Sequence, residues 1–137
     1  MLVDTNIIIY AINTDSPKHT ASQNFLKEQQ KNLTIAHQNV FEAIRVLSHP
    51  IFPKPMNLEE VIDDILAIVD SISIIHPDQT TYPLALELIK TYGLAGNRTF
   101  DAYLAATALS NGIYTIVTDN VRDFQRIDKL RIINPFK

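Results

Sequence analysis

Short apolar runs alternate along the chain with longer segments of helical period. Met1-Leu2-Val3-Asp4 reads as a short buried strand, and an apolar run from Ile7 to Ile12 follows it. Ser16-Pro17 supplies an N-cap with proline at the first helical position, so a helix is expected from there to about Gln30. Thr34-Ile35-Ala36 is the next strand. Val40, Phe41, Ile44 and Leu47 recur at helical spacing and predict a helix from about Asn39 to Ser48. The segment from His49 to Pro55 reads as a loop, because each proline lacks a backbone donor and fixes φ.

Asn57, three residues before Glu60, has a capping-box layout. It opens a helix whose Leu58, Val61, Ile62, Ile65, Leu66 and Val69 form one apolar face, with Glu59, Glu60, Asp63 and Asp64 opposite. Ser73-Ile74-Ile75 is a strand closed by Pro77. A helix from about Gln79 to Tyr92 ends at Gly93, a natural left-handed stop. An alanine-rich helix over 99–111 ends at Gly112, and strands follow at Tyr114–Thr118 and Leu130–Ile133. The order β-α-α-β-α-α-β-α-α-β-β predicts an α/β fold with a mostly parallel sheet covered on both faces. Ligands of such sheets bind beyond the carboxyl ends of the strands.

Composition narrows the possibilities. The 137 residues suit one domain over 1–137 with a sizeable core. The chain has no cysteine, which excludes a disulfide framework, a thiolate nucleophile and a Cys-ligated zinc site. A net charge of −3 argues against a generally basic nucleic-acid binder and leaves room for a local basic patch. The six-residue apolar run is far short of the roughly 20 residues of a spanning helix. The first charge is the acid Asp4, so no basic leader precedes that run. The expectation is a cytoplasmic protein that starts directly with its first structural element and has no membrane partner.

The candidate chemistry lies in acids at strand ends and helix starts. Asp4 follows the first strand, Asp119-Asn120 follow the strand ending at Thr118, and Asp123 comes one turn later. Asp101 lies in the first turn of the alanine-rich helix, and Glu42 lies early in its own helix. Taken singly, each has an ordinary explanation. Asp101 can answer the helix macrodipole, Asp119-Asn120 can form a turn, and Glu42 can pair with Arg45 on a solvated face. If the segments converge, the carboxylates repel one another and call for a compensating cation. Mg²⁺ and Mn²⁺ prefer oxygen ligands and can activate water for phosphodiester hydrolysis. Such chemistry needs no cysteine, serine or histidine nucleophile.

Five segments, in order, resemble PIN-domain proteins, and in particular the VapC-type toxins of toxin–antitoxin pairs. They are Leu2-Val3-Asp4-Thr5-Asn6-Ile7, Asn39-Val40-Phe41-Glu42, Phe100-Asp101-Ala102-Tyr103-Leu104-Ala105-Ala106, Ile116-Val117-Thr118-Asp119-Asn120-Val121-Arg122-Asp123-Phe124 and the ending Ile132-Ile133-Asn134-Pro135. The resemblance implies a three-layer α/β/α sandwich and a Mg²⁺- or Mn²⁺-dependent endoribonuclease cutting single-stranded RNA. It also implies a homodimer and a cognate antitoxin protein as partner. Asp4 and Asp101 match the most dependable metal-binding positions of the family, and Glu42 matches its second acid. At the fourth position this chain has the neutral Asn120, so Asp123 is first choice, and Asp119 second, to supply the charge. Asn6, Thr118 and Asn120 are expected to hold carboxylates or water by hydrogen bonds.

Charge along the chain suggests where RNA would lie. From Glu59 to Asp78 there are six acids and no Lys or Arg, whereas Arg122 to Lys137 holds five bases and two acids. Arg98, Arg122 and Arg126 are the candidates for contacts with the RNA backbone. His19, His37, His49 and His76 have no zinc-like spacing and read as surface or loop residues. Most aromatic residues sit at core-like spacing, from which a base-stacking aromatic is indistinguishable. Three other readings compete. A phosphoryl-accepting receiver domain lacks here its adjacent acidic pair and its late lysine. A degenerate PIN-like binder and a PIN nuclease acting on structured DNA or in RNA maturation share the same fold. With no appended domain in the chain, a stand-alone toxin is favoured.

Overall fold

The computed structural model describes residues 1–137. Its strands are β1 (Leu2–Val3), β2 (Thr34–Ala36), β3 (Ser73–Ile75), β4 (Thr115–Val117) and β5 (Arg131–Ile133). Its helices are α1 (Thr5–Ile12), α2 (His19–Gln29), α3 (His37–Ser48), α4 (Leu58–Val69), α5 (Thr81–Tyr92) and α6 (Arg98–Ser110). The element order is the one the sequence pattern predicts. All pairings are parallel, in the order β3-β2-β1-β4-β5.

Successive strand residues point to opposite faces, and the core divides accordingly. Val3, Ile35 and Val117 pack with Ile7 and Ile8 of α1, Leu26 of α2, Leu47 of α3 and Val61 and Ile65 of α4. Leu2, Ala36 and Ile116 face the other way, onto Ala85 and Leu88 of α5 and Ala102, Ala105, Ala106 and Ala108 of α6. The result is a three-layer α/β/α sandwich. The alanines leave α6 slim enough to lie close against both sheet and α5.

Three local expectations are corrected. Ser16 does not cap a helix; its Oγ accepts from Lys18 N–H (3.1 Å) within a turn, and α2 begins only at His19. Asn57 caps α4 through a bond from Glu59 N–H (2.8 Å), but the reciprocal bond from Glu60 is not made. The apolar face of α4 is only half used: Val61 and Ile65 are buried, whereas Leu58, Ile62 and Leu66 are exposed. Periodicity identifies an apolar stripe, but a stripe about 100° wide or more can exceed the surface offered to it. Gly93 ends α5 at φ 62°, as expected of a left-handed stop.

Candidate active site

The chain runs outward from β1 through β2 to β3, then crosses back to place β4 on the other side of β1. This reversal opens a crevice beyond the carboxyl ends of β1 and β4, where open parallel sheets bind ligands. Asp4 follows β1 directly and caps α1; Thr118 follows β4 directly.

The hydroxyl of Thr118, fully buried, joins the two strand ends. It donates to Asp4 Oδ2 (2.7 Å) and accepts from Asn6 Nδ2 (3.2 Å) and Asn120 N–H (2.9 Å). The other oxygen of Asp4 accepts from Thr5 N–H (2.8 Å). Thr5 then reaches the second acid: its hydroxyl donates to Glu42 Oε2 (2.8 Å) and accepts from Asn39 Nδ2 (3.0 Å). Asn39 also accepts from Ala36 N–H (3.0 Å), which fixes the start of α3. Gln38 Nε2 bridges α3 to α6, donating to Glu42 Oε1 (2.7 Å) and to the Phe100 carbonyl (2.9 Å). Glu42 makes no ion pair with Arg45.

Asp101 accepts no hydrogen bond from the protein, so its oxygens are unclaimed. Asp123 ends a short 3₁₀ turn, Val121–Asp123, and accepts from Asn120 Nδ2. The electrostatics tie these four acids together. Burial pushes Asp4 up to about 6, against the pull of its Thr118 and Thr5 bonds, and the charges of Glu42 and Asp123 raise it further. Burial pushes Asp101 up to about 7, with Asp123, Asp4 and Glu42 adding repulsion and Arg98 opposing it. Acids drawn from four separate segments thus share one field of like charge.

Asp119 turns elsewhere. Its Oδ2 takes Lys18 Nζ and the Tyr10 hydroxyl (2.9 Å), and its Oδ1 takes Asn134 Nδ2 (3.4 Å). These bonds hold its carboxyl below the usual range, Lys18 foremost. Of the two residues weighed for the fourth charge, Asp123 is the one whose charge raises Asp4 and Asp101, and Asp119 is an ion-pair partner. Arg98 lies in the first turn of α6 near Asp101, while Arg122 and Arg126 are exposed. His37, His49 and His76 are exposed, and His19 bonds the Tyr10 carbonyl through Nδ1 (2.9 Å). Sequence reasoning named neither Thr5, Gln38 nor Asn39 for a role. Asn39 carried a usable signal: it shares a helical stripe with Ala43 and Leu47, where a buried polar residue needs partners.

An open cleft of about 690 Å³ runs past Glu42 and Asp101, and Gln38, Phe41, Arg45, Asn97 and Phe100 complete its lining. The donor set is all oxygen and carries repelling charge, which fits a hard divalent cation. No three His, Asp or Glu side chains are gathered into a ready-made ion cage. No helix is long and apolar enough to cross a membrane.

Comparisons with known proteins agree with this architecture. Ribonuclease VapC24 of Mycobacterium tuberculosis is 25% identical over 144 residues, covering 97% of this chain and 94% of its own. The structure of VapBC2 from Rickettsia felis, bound to a DNA fragment from its promoter, superposes with a TM-score of 0.74 at 24% identity, over 97% of this chain and 96% of that one. A toxin–antitoxin complex from Klebsiella pneumoniae superposes with a TM-score of 0.71 at 20% identity, over 99% and 98%. The PIN domain profile matches residues 1–130, nearly the whole chain, and the protein belongs to the PIN domain family.

Proposed function

We propose that this protein is a Mg²⁺- or Mn²⁺-dependent endoribonuclease and the toxin of a toxin–antitoxin pair. The observation that carries this reading is that Asp4, at the switch point of the sheet, and Asp101 are each raised by the charges of Glu42 and Asp123, with Thr5 linking Asp4 to Glu42 by hydrogen bonds. Similarity to a named ribonuclease and to toxin–antitoxin complexes along the full chain supports it. A cognate antitoxin and a second copy of the chain are the proposed protein partners.

When bound, the ion would lower the pKa of a water and offset charge on a phosphate oxygen. Asp4 and Glu42 would be the most firmly held ligands, because Thr5, Thr118 and Gln38 hold their oxygens in place. Asp123, held by Asn120, completes the charge. The unclaimed oxygens of Asp101 would serve as ligand or take the proton of the attacking water. Water forms the new P–O bond and gives up a proton, the bridging P–O bond breaks, and the leaving oxygen takes a proton from a second water or from protonated Asp101. Arg98 and Arg122 hold the RNA backbone.

The test is cleavage of single-stranded RNA by the purified protein in Mg²⁺ or Mn²⁺, compared with EDTA and with Asp4→Ala and Asp101→Ala. Cleavage should require the metal and be lost in both variants. Metal-independent cleavage, or full activity in both variants, rejects the reading. An antitoxin should abolish cleavage when purified with the protein.

A further inference from the structure

Two exposed phenylalanines stand at the mouth of the acidic cleft. The side chains expected from spacing to be core-like are 69% exposed at Phe41 and 62% exposed at Phe100. Both line the cleft that contains Glu42 and Asp101. Each precedes its acid by one residue in a helix, a rotation of about 100° around the axis. The rings therefore border the carboxylates without covering them. Gln38 bonds Glu42 and the Phe100 carbonyl together, so the two sides of the cleft are held at a fixed spacing. Arg45 lines the same cleft and makes no ion pair.

Isolated exposed apolar residues are common on protein surfaces. Here two aromatic faces, on different helices, flank one acidic centre beside an unpaired cation. An aromatic face with a nearby guanidinium is the recognition chemistry of an unstacked nucleobase and its phosphate. A duplex hides its base faces and offers nothing to such a ring. We infer that Phe41 and Phe100 are base-stacking residues that seat unpaired bases of the RNA at the cleft, with Arg45 on the intervening backbone. This rests on the ribonuclease reading and adds how the strand is gripped. The grip reads base faces, which every base has, so it selects for single-strandedness more than for sequence.

The experiment compares a short single-stranded RNA with an abasic oligonucleotide carrying the same number of phosphates, by anisotropy in EDTA at low salt. The wild-type protein should prefer the base-bearing strand. Phe41→Ala and Phe100→Ala should each reduce that preference on the order of tenfold, while Phe41→Tyr and Phe100→Tyr retain it. Both positions are exposed, so the alanine variants should keep wild-type unfolding midpoints. Equal wild-type affinity for both strands, binding of neither, or undiminished preference in the alanine variants overturns the inference. If those variants instead lose only antitoxin binding, the rings are a protein-docking surface and the inference fails. A wild-type protein that binds neither strand and cleaves no RNA with Mg²⁺ or Mn²⁺ takes the ribonuclease reading down as well.

Discussion

Asp4→Asn should stabilise the metal-free protein while abolishing its activity. Burial is the main reason that the Asp4 carboxyl holds its proton up to about 6 instead of 3.8. Between those two values the unfolded chain has lost the proton and the folded chain has kept it. The folded state then binds more protons, so stability falls as pH rises through this window and stays low above it. At about 1.4 kcal/mol per pH unit, the full loss is about 3 kcal/mol. Asparagine escapes this loss. It keeps an acceptor for one of the two bonds now made by the carboxylate, from Thr5 N–H or from the Thr118 hydroxyl. The bond forgone costs about 1 kcal/mol. The net gain at pH 7.5 is therefore about 2 kcal/mol, whereas near pH 4 the variant should be no more stable than wild type. Loss of the Asp4 charge also relieves Asp101, which acts in the same direction. Urea unfolding in EDTA at pH 4.5 and 7.5 measures both values. A difference between the proteins that does not change with pH refutes the argument. Adding Mg²⁺ supplies a control: it should stabilise the wild type by mass action and leave the variant nearly unmoved.

Further outcomes follow from other contacts. Thr118→Val should cost about 1–3 kcal/mol in denaturant unfolding, because Asp4, Asn6 and Asn120 all lose one buried partner. Asp119→Asn should lower the ionisation midpoint of Tyr10, read by phenolate absorbance, from about 12 part of the way to its ordinary 10; burial, the largest cause, remains. Neutralising Arg98 and Arg122 should weaken RNA binding and flatten its salt dependence, by about one in log–log slope per phosphate contact. On α4, Ile65→Ala should cost about 2–5 kcal/mol and its exposed neighbour Leu66→Ala about 0.5 kcal/mol or less, a contrast visible in one thermal-melt series.

Much of the layout was legible because strand and helix periods differ. Leu2 and Val3 lie in opposite halves of the core, as do Ile35 and Ala36, and Ile116 and Val117. That pattern, with an acid or threonine just after a strand, marks the crevice in the sequence itself. What patterning missed was direction and cover. Asp119 and Asp123 look alike in sequence, and what distinguishes them is Lys18, which pairs with Asp119 from 101 residues away. Leu58, Ile62 and Leu66 continue an apolar stripe, but nothing local says that the neighbouring helices stop short of them. Phe41 fits the helical spacing of α3, yet the buried stripe runs through Asn39, Ala43 and Leu47 instead. The hydrogen-bond links through Thr5 and Thr118 were hidden for a simpler reason: a threonine reads as neutral until its partners are known.

The central position of β1 also sets a timetable for biosynthesis. Leu2 needs, as a strand neighbour, a segment made more than a hundred residues later: Leu2 pairs with Ile116, and Asp4 N–H bonds the Val117 carbonyl. Contacts this distant in sequence cannot form early in synthesis. A nascent chain lacking residues 115–123 has no hydroxyl from Thr118 on Asp4 and no Asp123 beside it. The acidic centre is thus complete only once the segment through Asp123 has been made, and a copy cut short before it carries Asp4 and Glu42 without the arrangement that would let them act.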